Sequence, residues 1–136
     1  MFPSLFKRYK FKNTRRYIRL PIAWPVKCHV VSPSETHHVT ATQDVSAGGI
    51  RVVMPQKVPL GHQVQMEIYV PPKDRLISVH GQVIRCVACP TGGFELGILF
   101  KEIDAQDRQI LNQTVKRSHS PRYQILHRKA WWRKVT

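Results

Sequence analysis

A chain of 136 residues is long enough to bury one hydrophobic core without help from disulfides or metal, and 22 basic against 8 acidic residues give it a formal charge of +14. Its 3 cysteines, behind a start (Met1-Phe2-Pro3-Ser4) that leads into lysines, exclude a secreted disulfide framework, and no stretch approaches the roughly 18 consecutive apolar residues of a membrane span. The expectation is one cytoplasmic domain with tails, attracting anions: a phosphorylated ligand, nucleic acid or an anionic membrane surface.

The charge excess sits at the two ends. Lys7, Arg8, Lys10, Lys12, Arg15, Arg16 and Arg19 fall in residues 1–19 with no acidic residue among them, and Lys116, Arg117, Arg122, Arg128, Lys129, Arg133 and Lys134 do the same in 116–136. The stretch 20–115 holds all 8 acidic residues and as many basic ones, so it is formally neutral.

In chain order, residues 1–14 mix charge with scattered aromatics, show no period and read as a flexible basic arm. From Trp24 onward the period becomes two. Val64, Met66, Ile68 and Val70 share one face while Gln63, Gln65 and Glu67 share the other, and Phe94, Leu96, Ile98 and Phe100 alternate with Glu95 and Gly97. Strands are predicted over Val26–Val31, His37–Thr42, Gly49–Met54, His62–Val70, Leu76–Ala88 and Phe94–Phe100. Turn residues separate them at Ser32-Pro33-Ser34, Pro59-Leu60-Gly61, Pro71-Pro72-Lys73-Asp74 and Pro90-Thr91-Gly92-Gly93.

Six short strands at regular spacing predict a closed or nearly closed antiparallel barrel, which removes exposed edges. A helix then begins near Asp104, which caps it with Asp107 close by, and Ile103, Ile110, Leu111 and Val115 give it an apolar side that plugs a barrel mouth. Residues 15–115 thus form the domain and 116–136 a basic, aromatic tail. Ser120-Pro121 opens a second predicted helix carrying Ile125, Leu126, Trp131 and Trp132. Interleaved aromatics and bases in that tail suit an anionic membrane interface or nucleic acid, or equally a helix that packs its tryptophans on the barrel.

Two patterns offer binding chemistry. Arg15-Arg16-Tyr17-Ile18-Arg19 supplies planar guanidinium forks, which grip a phosphate or the O6/N7 edge of guanine with paired hydrogen bonds and also stack on bases. Asp44-Val45-Ser46-Ala47-Gly48-Gly49 supplies the complement: a carboxylate to accept from guanine's Watson–Crick N–H groups, a short hydroxyl, and two glycines expected to allow positive φ and close approach of a ligand. Each alone is an ordinary basic run or turn; together, with a strand pair between them, they describe a site for a phosphorylated guanine nucleotide. Cys86-Val87-Ala88-Cys89 has the spacing of a redox or zinc motif, but a zinc site needs Cys28, His29, His37 or His38 to converge on it, so small strand and turn residues are the expectation. The His37-His38 pair is expected to be an exposed strand end. No Ser/His/Asp set or paired carboxylates can be traced, so no enzyme is expected.

The two motifs resemble those of the PilZ family, which places Arg-x-x-x-Arg at the entrance of a six-stranded barrel and Asp/Asn-x-Ser-x-x-Gly on its surface, and which binds the bacterial second messenger cyclic di-GMP. Arg15 and Arg19 match the first pattern, and Asp44, Ser46 and Gly49 the second; Gly97-Ile98-Leu99-Phe100 looks like the family's Gly-x-x-Phe strand. The resemblance covers Thr14 to Val115 and leaves both tails unexplained. It implies a mainly β fold, a six-stranded antiparallel barrel with a C-terminal helix, acting as a receptor or effector with no cofactor and no metal. Its ligand-binding set is Arg15, Arg16, Arg19, Asp44, Ser46, Gly48 and Gly49. Thr14, where a further arginine would stand, points to a single nucleotide rather than a stacked dimer. The mechanism implied is a switch in which the arm from Met1 to Arg19 folds onto the barrel around the ligand and changes the surface offered to a protein partner. A basic nucleic-acid-binding barrel and a PilZ-like adaptor that binds only protein are the alternatives; the partner, stoichiometry and oligomeric state are open.

Overall fold

The computed structural model describes residues 17–31, 35–71 and 75–118. Within them lie β1 (Pro25–Val30), β2 (Thr36–Ser46), β3 (Gly49–Met54), β4 (Gln63–Val70), β5 (Arg75–Ala88), β6 (Phe94–Ile103) and the helix α1 (Ala105–Ser118). Every pairing is antiparallel, and the order β1-β2-β3-β6-β5-β4 closes because β4 returns to β1. The predicted six-stranded barrel is the observed fold. Closure matters because these short strands would otherwise leave two open edges to pair with other chains.

Alternation decides which side chains enter the core. Val26, Cys28 and Val30 of β1, Val64, Met66, Ile68 and Val70 of β4, and Leu96, Ile98 and Phe100 of β6 all point inward and are buried. Trp24, just before β1, is buried with them, and its backbone is tied to β2 by Trp24 N–H donating to Thr42 Oγ1 (2.8 Å) and Thr42 N–H donating to the Trp24 carbonyl (2.9 Å). Two strands run further than expected: β2 continues past Thr42 to Ser46 and β6 past Phe100 to Ile103. In both, the simple alternation breaks just where the predicted strand stopped, so the polar residues beyond look like loop.

Asp104 caps α1, its carboxylate accepting from the amides of Gln106 (2.9 Å) and Asp107 (3.2 Å). Arg75 at the start of β5 pairs with Asp107 at 2.9 Å and ties the first helical turn to the sheet. Leu111 and Val115 are fully buried in the barrel core, while Ile103 and Ile110 are half-buried at its rim, and the helix continues to a buried Ser118. The expected turns at Pro59-Leu60-Gly61 and Pro90-Thr91-Gly92-Gly93 form with left-handed glycines at Gly61, Gly92 and Gly93. The basic arm, the segments Ser32-Pro33-Ser34 and Pro72-Lys73-Asp74, and the tail with its second predicted helix lie outside the described residues. Among the described residues no helix is long and apolar enough to cross a membrane.

Candidate functional site

Three bulges shape one outer face of the barrel. Between β2 and β3, Thr42 faces Val52 and Asp44 faces Arg51, which leaves Gln43 as an extra residue. Between β5 and β6, Val83 faces Ile98 and Arg85 faces Gly97, leaving Ile84 extra; His80 faces Glu102 and Gly81 faces Phe100, leaving Lys101 extra. A bulge inserts one residue without its partner and so puts two successive side chains on the same side. Gln43 with Asp44, Ile84 with Arg85, and Lys101 with Glu102 all turn away from the core for this reason, while Thr42, Val45, Val83 and Phe100 stay buried.

The result is a cross-strand row, Asp44 on β2, Arg51 on β3, Gly97 on β6 and Arg85 on β5, each the register partner of the next. Gly97 gives the row a bare floor between two arginines. A groove of about 600 Å³ runs along it, lined by the row together with Arg19, Lys101 and Arg108 and by the apolar side chains of Ile84 and Leu99. That volume lies within the range of small-molecule sites. Asp44 is the one acidic lining residue against five basic ones, so the groove favours an anion. Arg51 holds the Asp44 carboxylate at 3.1 Å and reaches Glu95 at 3.5 Å, whereas Arg19, Arg85 and Lys101 have no ion-pair partner among the described residues.

Arg19 reaches the groove because its neighbour is pinned. Leu20 is buried and exchanges two backbone hydrogen bonds with Val45, at 2.8 and 2.9 Å, which lays residues 17–20 along the end of β2 beside Asp44. Tyr17 packs over Gly48, where a Cβ would come within 3.1 Å of the ring, and the Arg108 guanidinium lies over the same ring, 5.9 Å from its centroid. One helical residue is thereby joined to the site.

The β2–β3 turn is built by Ser46. Its hydroxyl accepts from the amides of Gly48 (3.1 Å) and Gly49 (3.2 Å) and donates to the Gly49 carbonyl (3.4 Å), so it folds the turn at the edge of the groove that it lines. The Gly48 carbonyl accepts from Phe100 N–H at 2.9 Å, which fixes the turn to β6. The expectation of positive φ at Gly48 and Gly49 is corrected: among the described glycines only Gly61, Gly92 and Gly93 are left-handed. These two glycines are required for room. A Cβ on Gly49 would collide with the Ile98 carbonyl oxygen across the β3–β6 pair, and one on Gly48 would press on Tyr17.

Of the residues expected from the sequence, Arg19, Asp44, Ser46, Gly48 and Gly49 line one groove, and Arg15 and Arg16 lie outside the described residues. Sequence reasoning missed Tyr17, Arg51, Arg85, Lys101 and Arg108 as lining residues. Arg51 had a signal, since two residues beyond Gly49 on a strand it shares that residue's face. Arg85 and Arg108 had none, because a bulge and helix packing bring them in, and Lys101 had only its outward position after Phe100. Cys86 and Cys89 are half-buried free thiols at the end of β5, and Cys28 is a buried free thiol whose pKa burial pushes up from 9.0 to about 12.

Comparison with known proteins bears out the fold. A family model described as the PilZ domain matches residues 13–117. No curated protein matches the chain by sequence. Among solved structures, the Bacillus subtilis inhibitor of motility (MotI/DgrA) is similar with a TM-score of 0.68 and 27% identity, over 76% of this chain and 50% of that one. The chain therefore spans about half the length of that relative. A self-assembled tetrameric PilZ protein from Xanthomonas campestris is similar at TM-score 0.64 and 13% identity, over 92% of this chain and 99% of that one. The PilZ domain of YcgR from Escherichia coli, solved with c-di-GMP, is similar at TM-score 0.55 and 18% identity, over 77% and 93%. At these last two identities the likeness is one of fold.

Proposed function

The chain belongs to the PilZ family, and from that premise we propose that it is a cytoplasmic cyclic di-GMP receptor or effector, not an enzyme, with residues 15–115 as the receptor unit between two basic extensions. The observation that carries the reading is the groove in which an ion-paired Asp44 lies beside Arg19 at the edge of a cationic surface whose floor is Gly97. Cyclic di-GMP offers what that surface lacks: two phosphodiester charges and two guanines with adjacent N–H donors. Asp44 accepts from the Watson–Crick edge of one guanine, and the arginine fork of Arg19, joined by Arg15 and Arg16 upstream, holds phosphate or the O6/N7 edge. Arg85, Lys101 and Arg108 add positive potential, and Ile84 and Leu99 supply an apolar bed for a purine face. Ser46, Gly48 and Gly49 act by shaping the turn that presents Asp44.

Tyr17 and Leu20 lie against the barrel, so the part of the arm that orders on binding precedes Tyr17. Ordering it around a neutralising ligand changes the face offered to a protein partner, which is the proposed output.

Calorimetric titration of cyclic di-GMP into the full chain, beside Arg19→Ala and Asp44→Ala and with GTP as control ligand, tests the reading. Saturable binding by the parent, weakened in both variants and absent with GTP, is the expected result. A folded parent that takes up no cyclic di-GMP in calorimetry or in equilibrium dialysis overturns it in favour of a family adaptor that binds only protein.

A further inference from the structure

At the end of β2 far from the groove, three side chains that the nucleotide reading does not use come together. His37 on β2 is the register partner of His29 on β1, and the two imidazoles lie face to face, 4.3 Å between centroids and 9° from parallel. Both point away from the core, since His29 lies between the inward Cys28 and Val30. Glu35, just before β2, brings a carboxylate oxygen to 3.8 Å from His29 Nε2. One donor atom from each of the three residues lies within 4.8 Å of the other two.

His29 Nε2 is the atom that makes this more than a surface cluster. It is shielded from solvent and has no hydrogen-bond partner among the described residues, although it faces a carboxylate and lies beside a second imidazole. A buried nitrogen left without a partner calls for one. A metal ion shared with Glu35 and His37 supplies one once the exposed His37 ring turns out of the stack, so that its in-plane lone pair converges with that of His29.

We propose that His29, Glu35 and His37 form a binding site for a divalent transition-metal ion of the kind imidazole favours, zinc, nickel or copper, with water completing the shell. Metal–nitrogen bonds of about 2.0–2.1 Å in a tetrahedral site set donors roughly 3.3 Å apart. The three atoms therefore need to close by no more than about 1.5 Å, which side-chain torsions of the exposed Glu35 and His37 supply. The neighbouring His80 is not a fourth ligand: Gln65 and Glu102 face its Nδ1 and Gln63 its Nε2. Cys28, next to His29 on β1 and opposite His38 on β2, points into the barrel. An extended β2 of 11 residues puts the metal site about 30 Å from Ser46, so occupancy is independent of the nucleotide groove and clips β1 to β2 at the opposite end.

The test is calorimetric titration of zinc chloride into the chelator-treated full chain, followed by thermal unfolding with and without the ion. Three variants run beside the parent: His37→Ala, Glu35→Gln and a double Cys86→Ser/Cys89→Ser. The expected result is one ion per chain and a rise in unfolding temperature, with affinity falling about tenfold or more in His37→Ala, less in Glu35→Gln, and unchanged in the cysteine variant. His37 is exposed, so its replacement leaves the barrel folded. Absence of saturable uptake at about 100 µM zinc overturns the proposal, as does uptake that His37→Ala leaves intact or that the cysteine variant loses.

Discussion

The inside of the barrel and the face around the groove obey different rules of alternation. Along β1 and β4 the inward positions repeat without interruption, and Val26, Cys28 and Val30 meet Ile68, Met66 and Val64 as paired neighbours in the buried core. Across β2, β3, β6 and β5 the repeat is broken three times, and each break leaves two consecutive side chains outside. Asp44 and Arg85 reach the groove by this route, beside Ile84 and Lys101, which plain alternation already turns outward. The regular half supplies stability through buried apolar area; the irregular half gives up some pairing to crowd charge onto a small surface.

Breaking the regular half should produce the largest effect. Trp24→Ala removes the bulkiest buried side chain and should cost about 3–5 kcal/mol in urea unfolding, with nucleotide affinity retained wherever the variant is still folded. On the irregular half the pattern reverses. Asp44→Ala should weaken cyclic di-GMP binding by about 10- to 100-fold, the equivalent of about 1.5–3 kcal/mol for hydrogen bonds to a charged acceptor. Unfolding of that variant should change little, because Arg51 lies partly in solvent and keeps a second carboxylate partner, Glu95.

Cys28 sharpens the contrast through pH. Burial raises its thiol from 9.0 to about 12, so below pH 9 the proton is held in both folded and unfolded chains and stability does not depend on it. From pH 9 toward 12 only the unfolded chain releases that proton, and stability should fall by up to about 1.4 kcal/mol per pH unit. Cys28→Ala should flatten that alkaline slope while lowering stability at neutral pH, measured by urea unfolding across the pH range. The smallest effect is expected at Gly48→Ala, whose methyl presses on the Tyr17 ring by a few tenths of an ångström. Affinity should drop by less than about fivefold, a cost under about 1 kcal/mol, with the barrel intact.

Much of this molecule is legible in its sequence. Strand faces with period two, glycine and proline turns, and the Asp104 cap are local signals, each contained within a few residues, and they led to six strands, a closed barrel and a closing helix. The two motifs likewise pointed to Arg19, Asp44, Ser46, Gly48 and Gly49. The limits were local too. β2 was expected to end at Thr42 because Gln43 and Asp44 break the alternation, which in the fold is a bulge and not a loop.

From its own residues, then, the chain determines the apolar faces, the turn positions and the identity of the carboxylate, hydroxyl and guanidinium side chains proposed for the nucleotide, because hydrophobic period and side-chain chemistry travel with the sequence. Tertiary structure alone decided the rest. The row from Asp44 through Arg51 and Gly97 to Arg85 exists because β6 pairs between β3 and β5, and Arg108 joins it because α1 packs its Leu111 and Val115 into the core. The glycines at 48 and 49 owe their place to Tyr17 and to the Ile98 carbonyl. His29, Glu35 and His37 meet because β1 and β2 pair in one register. These are contacts between residues far apart in sequence, and a one-residue slip in any pairing would turn the same side chains to the opposite face.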